Sequence, residues 1–431
     1  MKTSFYNLFF KIGDKFIIYN TLNSSISELS DIYYDVFQSP EWDLTQHTEE
    51  ANLFFTKQGY IISSDYDEIG DYLKKFESHR NPNKLEVQIF FAFSCNLTCK
   101  YCYQRAPQKN GVMSISNFHR FTNWISNELF TGQYSQCSIE IYGGEPLLAK
   151  RLIKILFDEL ALTLKKTNIP IDYDIVTNGT LLDDEIIKLF IINDVYMQIT
   201  IDGDRETHNQ RRAYRNGKGS YDKIISNISS IIKQGGNDLL KVRMNVDTKN
   251  FTQISNVASK LHSINVKNFE LGWVNFLSPI SPDYSHSINS SDFENLMIEI
   301  YNVLKPFGYA PTIDNFSVIT TCMFHRFHGF TITPELDVFK CDELMDFKKY
   351  KLGFIDENSL LVIDKVRYDQ FLSRKPSNFH ECVNCRLLPV CGCGCAVQAL
   401  RSKGELHQNY CETTYKKIET RIKNFILVSE I

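Results

Sequence analysis

No run of about 18 apolar residues occurs anywhere in the 431-residue chain, so no membrane-spanning helix is expected. The first residues, MKTSFYNLFFKIGDKF, also lack the unbroken apolar stretch and small-residue cleavage site of a secretory signal, which predicts a cytoplasmic protein. Charge of one sign is missing too: 47 Lys and Arg stand against 51 Asp and Glu, a net charge of −4. Nothing draws the whole molecule to phosphate backbones or anionic lipid, and neither nucleic acid nor membrane is expected as a partner. There are no repeats or low-complexity tracts, and 43% hydrophobic with 23% charged residues excludes a disordered chain. The length exceeds a single core of roughly 100–150 residues, so two or three domains are expected.

Cysteine, by contrast, is abundant. Twelve cysteines in a reducing compartment point to metal or redox chemistry rather than disulfides. Their distribution divides the chain. Residues 1–84 hold none and read as a small α+β domain: a hairpin of strands 6–12 and 16–20 around Gly13-Asp14, helices at 27–37 and 49–57, a short strand at 59–62, a helix at 67–76 and a polar linker at 79–84. Residues 85–310 alternate apolar strands (85–91, 138–142, 171–176, 196–201, 241–246, 269–276) with helices (117–131, 151–166, 183–193, 221–234, 252–264, 291–305). Six βα units predict an α/β fold with a parallel sheet, either a partial (β/α)6 barrel or an open doubly wound sheet, with ligands at the carboxyl ends of the strands. Residues 311–431 are cysteine-rich and irregular up to a final amphipathic helix at 413–426.

Cys95, Cys99 and Cys102 follow the first of these strands. Spaced by three and then two residues, their thiolates can wrap one face of a four-iron cluster and leave one iron free. The alternative is a zinc knuckle, but that needs four closed ligands, and the nearest histidine, His119, lies in a helical stretch. The second strand ends in Gly143-Gly144-Glu145, where glycines allow close backbone approach and a carboxylate suits an ammonium group. The third ends in Thr177-Asn178-Gly179; the fourth ends in Thr200-Ile201-Asp202-Gly203, with His208 and Arg212 beyond. Short hydroxyl and amide side chains suit a ribose, and a guanidinium suits a carboxylate. His208 reads at least as well as a hydrogen-bonded loop histidine as a catalytic one.

This set resembles the radical S-adenosylmethionine (SAM) enzymes. The resemblance covers about residues 85–276 and implies that Cys95, Cys99 and Cys102 hold a 4Fe-4S cluster whose free iron binds SAM. It implies reductive cleavage of SAM to a 5′-deoxyadenosyl radical that abstracts hydrogen from an unactivated carbon, and it favours the partial TIM-like barrel. Gly143, Gly144 and Glu145 are similar to the family's motif for the SAM amino group; Tyr101, Asn178, Thr200 and Arg212 are the other cofactor-side candidates, and Asn209 stands where Asp is usual.

The C-terminal cysteines resemble a SPASM domain, the auxiliary-cluster module of peptide-modifying members. In that pattern Cys382, Cys385, Cys391 and Cys411 hold an outer 4Fe-4S cluster, and Cys322, Cys341 and Cys395 an inner one. The inner set lacks an obvious fourth ligand: either Cys393 completes it or one iron stays open, able to take a substrate thiolate. Leu336 replaces a usual glycine, so its turn must be built differently. Cys137 reads as an inert buried thiol. Asp342 matches the general base of the sulfatase-maturating branch.

The first domain loosely resembles the winged-helix-like peptide clamp of maturases of ribosomally made peptides, where a leader peptide adds as a strand. The expected function is therefore oxidative modification of a precursor peptide (thioether, carbon–carbon crosslink or epimerisation), with flavodoxin or ferredoxin as electron donor. The alternatives are formylglycine formation by an anaerobic sulfatase-maturating enzyme and a non-catalytic iron–sulfur or zinc redox sensor. The sensor would not need Gly143, Gly144, Glu145 and Thr200 at successive strand ends.

Overall fold

The computed structural model describes residues 1–104, 111–274, 299–300, 302–309, 322–411, 422, 423 and 426. Most of the expected helices at 413–426 and 291–305 lies outside them, as do the last two residues of the 269–276 strand. None of the described helices is long and apolar enough to cross a membrane.

The segment LEVQIFFA is apolar almost throughout, and it forms the greater part of a strand, Lys84–Ala92, that is buried on both faces. Numbered in chain order, that strand is β6. It is preceded by β1 (Lys2–Thr3), β2 (Asn7–Ile12), β3 (Lys15–Asn20), β4 (Ile26–Leu29), α1 (Asp31–Val36), α2 (Glu49–Lys57), β5 (Ile61–Ile62) and α3 (Glu68–Arg80). It is followed by α4 (Ile115–Phe130), β7 (Gln136–Gly143), α5 (Lys150–Thr167), β8 (Ile171–Thr177), α6 (Asp184–Ile192), β9 (Tyr196–Thr200), α7 (Arg205–Arg211), α8 (Tyr221–Lys233), β10 (Leu240–Val246), α9 (Ile254–Ser263) and β11 (Asn268–Trp273). Strands β6 to β11 lie side by side, all parallel and in sequence order. A doubly wound sheet reverses its order partway; this one does not, so right-handed crossovers put every helix on one side and the fold is a partial barrel.

The helices bury one stripe each. Phe118, Phe121, Trp124, Ile125 and Leu129 of α4, and Leu152, Ile153, Leu156, Phe157 and Leu160 of α5, join Val87, Ile139 and Ile141 in one core. Ser114 and Asp183 start α4 and α6 by accepting the amides of Asn117 and Ile186.

The C-terminal region is more regular than its composition suggests. Strand β12 (Gly329–Ile332) pairs parallel to the other side of β6, and β13 (Asp337–Phe339), β14 (Gly353–Ile355) and β15 (Leu361–Ile363) continue the sheet antiparallel. In the N-terminal part, the expected 27–37 helix is divided: Ile26–Leu29 pairs with β3, and only Asp31–Val36 is helical. Nor do residues 79–84 form a loose linker. Helix α3 runs to Arg80, whose buried guanidinium donates from Nε to the His325 carbonyl at 3.1 Å, and β6 begins at Lys84. Tyr6, Tyr72 and Phe76 pack against Cys382, Leu388 and Cys393, which joins the first domain to the cysteine region.

Leu336 sits in the β12–β13 turn at φ 68° and is fully buried. A left-handed leucine costs about 1–2 kcal/mol, which its packing must offset. Replacing Leu336 by Ala should cost about 2–5 kcal/mol and lower Tm. Leu336→Gly, free of backbone strain, should then be more stable than Leu336→Ala, the reverse of the usual order. Thermal unfolding followed by circular dichroism checks this.

Candidate active site

The cysteine loop leaves β6 and is held from outside. Leu97 bridges Tyr214, the Thr98 amide donates to the Ala213 carbonyl at 2.8 Å, and Arg215 Nε donates to the Cys95 carbonyl at 2.8 Å. Cys95, Cys99 and Cys102 thereby pack together with Leu97 and Tyr214 and line one cavity of about 480 Å³. Burial pushes the Cys95 thiol up to about 12 and the Cys99 thiol up to about 11, so both keep their protons until a cation replaces them. A single zinc ion would draw its ligands close around it. Among the described residues, no three His, Cys, Asp or Glu side chains are grouped that way. A cubane spreads its thiolates over separate irons, which suits three sulfurs on one chamber wall.

Of the strand-end candidates, Tyr101, Gly143, Gly144, Asn178, Thr200 and Arg212 line this cavity, and Glu145 does not. The Glu145 carboxylate is fully buried: the Leu147 amide donates to Oε1 at 3.0 Å, the Thr177 hydroxyl to Oε1 at 2.6 Å, and the Asn178 amide to Oε2 at 2.8 Å. The glycines also have a reason other than ligand approach. A Cβ at Gly143 would lie 2.3 Å from the Ala92 carbonyl oxygen, and one at Gly144 would lie 2.3 Å from that of Ser94. They let the ends of β6 and β7 touch.

Asn178 continues the linkage. Its Nδ2 donates to Asn96 Oδ1 at 2.8 Å and reaches Cys95 Sγ at 3.8 Å. On the far side, the Tyr101 hydroxyl donates to Asp202 and accepts from Arg212 and from Asn245 Nδ2, the last at 3.2 Å. Burial raises the Tyr101 phenol well above its ordinary range. His208 lies outside the cavity wall. Its Nδ1 accepts the Asp202 amide at 3.2 Å, so Nε2 carries the proton toward Ser220 Oγ at 3.0 Å, and burial holds the ring neutral. The ring is hydrogen-bonded at both nitrogens, as one of the two readings had it, but it stands in helix α7 rather than in a loop. Asn209 Oδ1 accepts the Tyr221 amide at 3.0 Å at the start of α8, a task an Asp would also perform.

Asp342 does reach the cavity. It accepts from the Tyr103 hydroxyl, which in turn lies 3.0 Å from the Tyr142 hydroxyl. Tyr103, Tyr142, Gln398 and Arg401 are wall residues absent from the sequence-based set; adjacency of Tyr103 to Cys102 and of Tyr142 to Gly143 was the available signal for the first two.

The auxiliary-type cysteines line neither this cavity nor its wall. Burial pushes the Cys382 and Cys391 thiols up to about 12. Cys393 packs with Cys382 in one buried cluster, and its sulfur accepts from Arg374 Nη1 at 3.3 Å. Cys137 is fully buried at the start of β7.

Glu140 also lines the cavity, accepting from Gln88 Nε2 at 2.8 Å across β6 and β7, and burial pushes its carboxyl up to about 7. A raised carboxyl binds its proton more tightly in the folded state, so between the ordinary glutamate range and pH 7 the unfolded chain loses that proton first, and stability falls as pH rises. Glu140→Gln should therefore raise Tm relative to wild type by an amount that grows from pH 5 to pH 7.5, as parallel thermal melts would record.

Residues 89–259 match the Radical SAM superfamily. The chain is 26% identical over 328 residues to a cysteine-type anaerobic sulfatase-maturating enzyme of Clostridium novyi, covering 70% of this chain and 85% of that one. It is 22% identical over 427 residues to the radical SAM cyclopropyl synthase TigE of Paramaledivibacter caminithermalis, covering 90% and 84%. Streptococcus suis SuiB bound to precursor peptide SuiA shares the fold at TM-score 0.55 and 15% identity, over 96% of this chain and 99% of that one. Native anSMEcpe, with AdoMet and the Cp18Cys peptide bound, does so at TM-score 0.64 and 20% identity, over 81% and 100%. Three thiols gathered where the first parallel strand ends, within the stretch that matches the superfamily, identify residues 89–259 as a radical SAM domain.

Proposed function

We propose that the enzyme oxidatively modifies a residue of a ribosomally made peptide, with Cys95, Cys99 and Cys102 holding the SAM-binding 4Fe-4S cluster. The observation that carries this is the single cavity that those cysteines share with Asn178, Thr200, Tyr103 and Asp342. When bound, the cluster and SAM supply a 5′-deoxyadenosyl radical for hydrogen abstraction. The chain's own residues shape what surrounds it. Asn178 and Thr200 offer amide and hydroxyl groups from strand ends, Arg212 and Tyr101 are fixed against Asp202, and Asp342 is the proton acceptor nearest the Tyr103 and Tyr142 hydroxyls.

Cys382, Cys385, Cys391 and Cys411 would hold an outer auxiliary cluster, and Cys322, Cys341 and Cys395 an inner one. Cys393, bonded to Arg374 and packed with Cys382, would either complete the inner set or leave one of its irons open. The peptide would be taken up by residues 1–84, where β2 and β4 are the edge strands of a three-stranded sheet. In support, the likeness to peptide-bound SuiB extends over 96% of the chain. A flavodoxin or ferredoxin would supply electrons in the cytoplasm. Formylglycine formation is the second reading, favoured by Asp342 in the cavity and by the identity to sulfatase-maturating enzymes.

Cys95→Ala should abolish 5′-deoxyadenosine release from SAM under anaerobic reduction; release at the wild-type rate refutes the assignment. Cys385→Ala should release 5′-deoxyadenosine yet fail to alter the mass of a precursor peptide co-expressed from a neighbouring gene. If Asp342 takes the substrate proton, Asp342→Asn should lower peptide modification by about 10²–10⁴-fold in single-turnover assays while SAM cleavage persists.

A further inference from the structure

Within the C-terminal region, the helix Ala396–Lys403 sends Gln398 and Arg401 to the cavity wall. Three residues apart on a helix, they share a face. Both are more than nine-tenths enclosed, the Arg401 side chain being 9% exposed and Gln398 9%. The Arg401 Nη1 forms an ion pair with Glu343. Its Nε and Nη2, and the Gln398 Oε1, have no hydrogen-bond partner among the described residues. Buried polar groups left unmet are costly, and these three lie on one wall beside Glu343, whose Oε2 makes the ion pair but, among the described residues, no hydrogen bond.

Their chemistry is specific. Nε and Nη2 form the edge of a guanidinium that presents two parallel N–H groups, the geometry matched by both oxygens of a carboxylate. Gln398 Oε1 beside it needs an N–H donor, which a peptide backbone supplies. Glu343 answers the charge from the Nη1 side, and a single neutral carbonyl would satisfy only one of the two remaining donors.

We propose that this wall is a carboxylate subsite for the substrate: Arg401 takes a peptide carboxylate through Nε and Nη2, and Gln398 accepts a backbone N–H next to it. The proposal rests on the peptide-modifying function above and adds a substrate requirement, an acidic side chain or a C-terminal carboxylate near the modified residue.

The test uses the anaerobically reconstituted full chain with SAM present and three N-acetylated tripeptide probes, the first two also amidated at the C-terminus, in calorimetric titrations. One carries a central glutamate, one a central glutamine, and one only alanines with a free C-terminal carboxylate. At least one acidic probe should bind about tenfold or more tightly than the glutamine probe, and the better of the two acids identifies the source of the carboxylate. Arg401→Lys keeps a charge for Glu343 but loses the two-donor edge, so most of the preference should disappear. Gln398→Glu, a second variant that leaves that ion pair intact, should reverse it. Equal binding of acid and amide by the wild type, or binding of neither, overturns the proposal. So does a lysine variant that keeps the preference while losing SAM affinity or changing its cluster spectrum, which would put that edge on the cofactor or an auxiliary centre. If wild-type protein cannot release 5′-deoxyadenosine at all, the peptide-modifying function fails; if it can, but shows no carboxylate preference, only the subsite fails.

Discussion

The carboxylate of Glu145 is cut off from solvent and answered by three donors: the amides of Leu147 and Asn178 and the hydroxyl of Thr177. Burying a carboxylate costs several kcal/mol unless such partners meet it, and burial does raise its pKa, with those hydrogen bonds working against the shift. Because the donors come from the ends of β7 and β8, satisfying this one group fixes two strand ends relative to each other. Asn178 extends the constraint to Asn96 and Cys95, and the contact of Gly143 and Gly144 with the Ala92–Ser94 backbone ties in β6. The chamber carrying the three thiols exists because these ends cannot move independently.

The same strand β6 that ends in the cysteine loop pairs on its other side with β12. The β12–β13 hairpin, in which Thr331 lies opposite Phe339, then returns the chain to Cys341 and Asp342. One central strand therefore carries the cysteine loop at its end and has the hairpin leading to Cys341 and Asp342 along its other edge. Arg374 reinforces the arrangement from behind: its buried guanidinium donates to the carbonyls of Cys393, Gly394, Leu406 and Gln408 and to the Cys393 sulfur, organising the cysteine-rich loops around one cation.

The six parallel strands and the five described helices expected between them were readable because each strand is a short, nearly continuous apolar run and each helix a periodic one, and these signals survive without tertiary context. Where two periods coincide, the sequence is ambiguous: Ile26 and Leu29 are three apart, as on a helix, yet they belong to a strand whose partner is β3. Strand β12 is four residues long among cysteines and is defined by its partner β6 rather than by its own pattern. The cysteine loop was legible from spacing alone. The purpose of Gly143 and Gly144 was not, since a close backbone neighbour and a bound ligand demand the same absence of a side chain. Gln398 and Arg401 look like the solvated face of a helix until packing encloses them.

Cys95, Cys99 and Cys102 would hold a 4Fe-4S cluster by three of its irons and leave the fourth corner open to SAM. Electron paramagnetic resonance of the reduced, anaerobically prepared protein, recorded before and after addition of SAM, observes that corner directly. A 4Fe-4S signal whose g-values shift when SAM is added is the predicted result. A reduced spectrum indifferent to SAM, or a preparation with zinc in place of iron at these thiols, would contradict it.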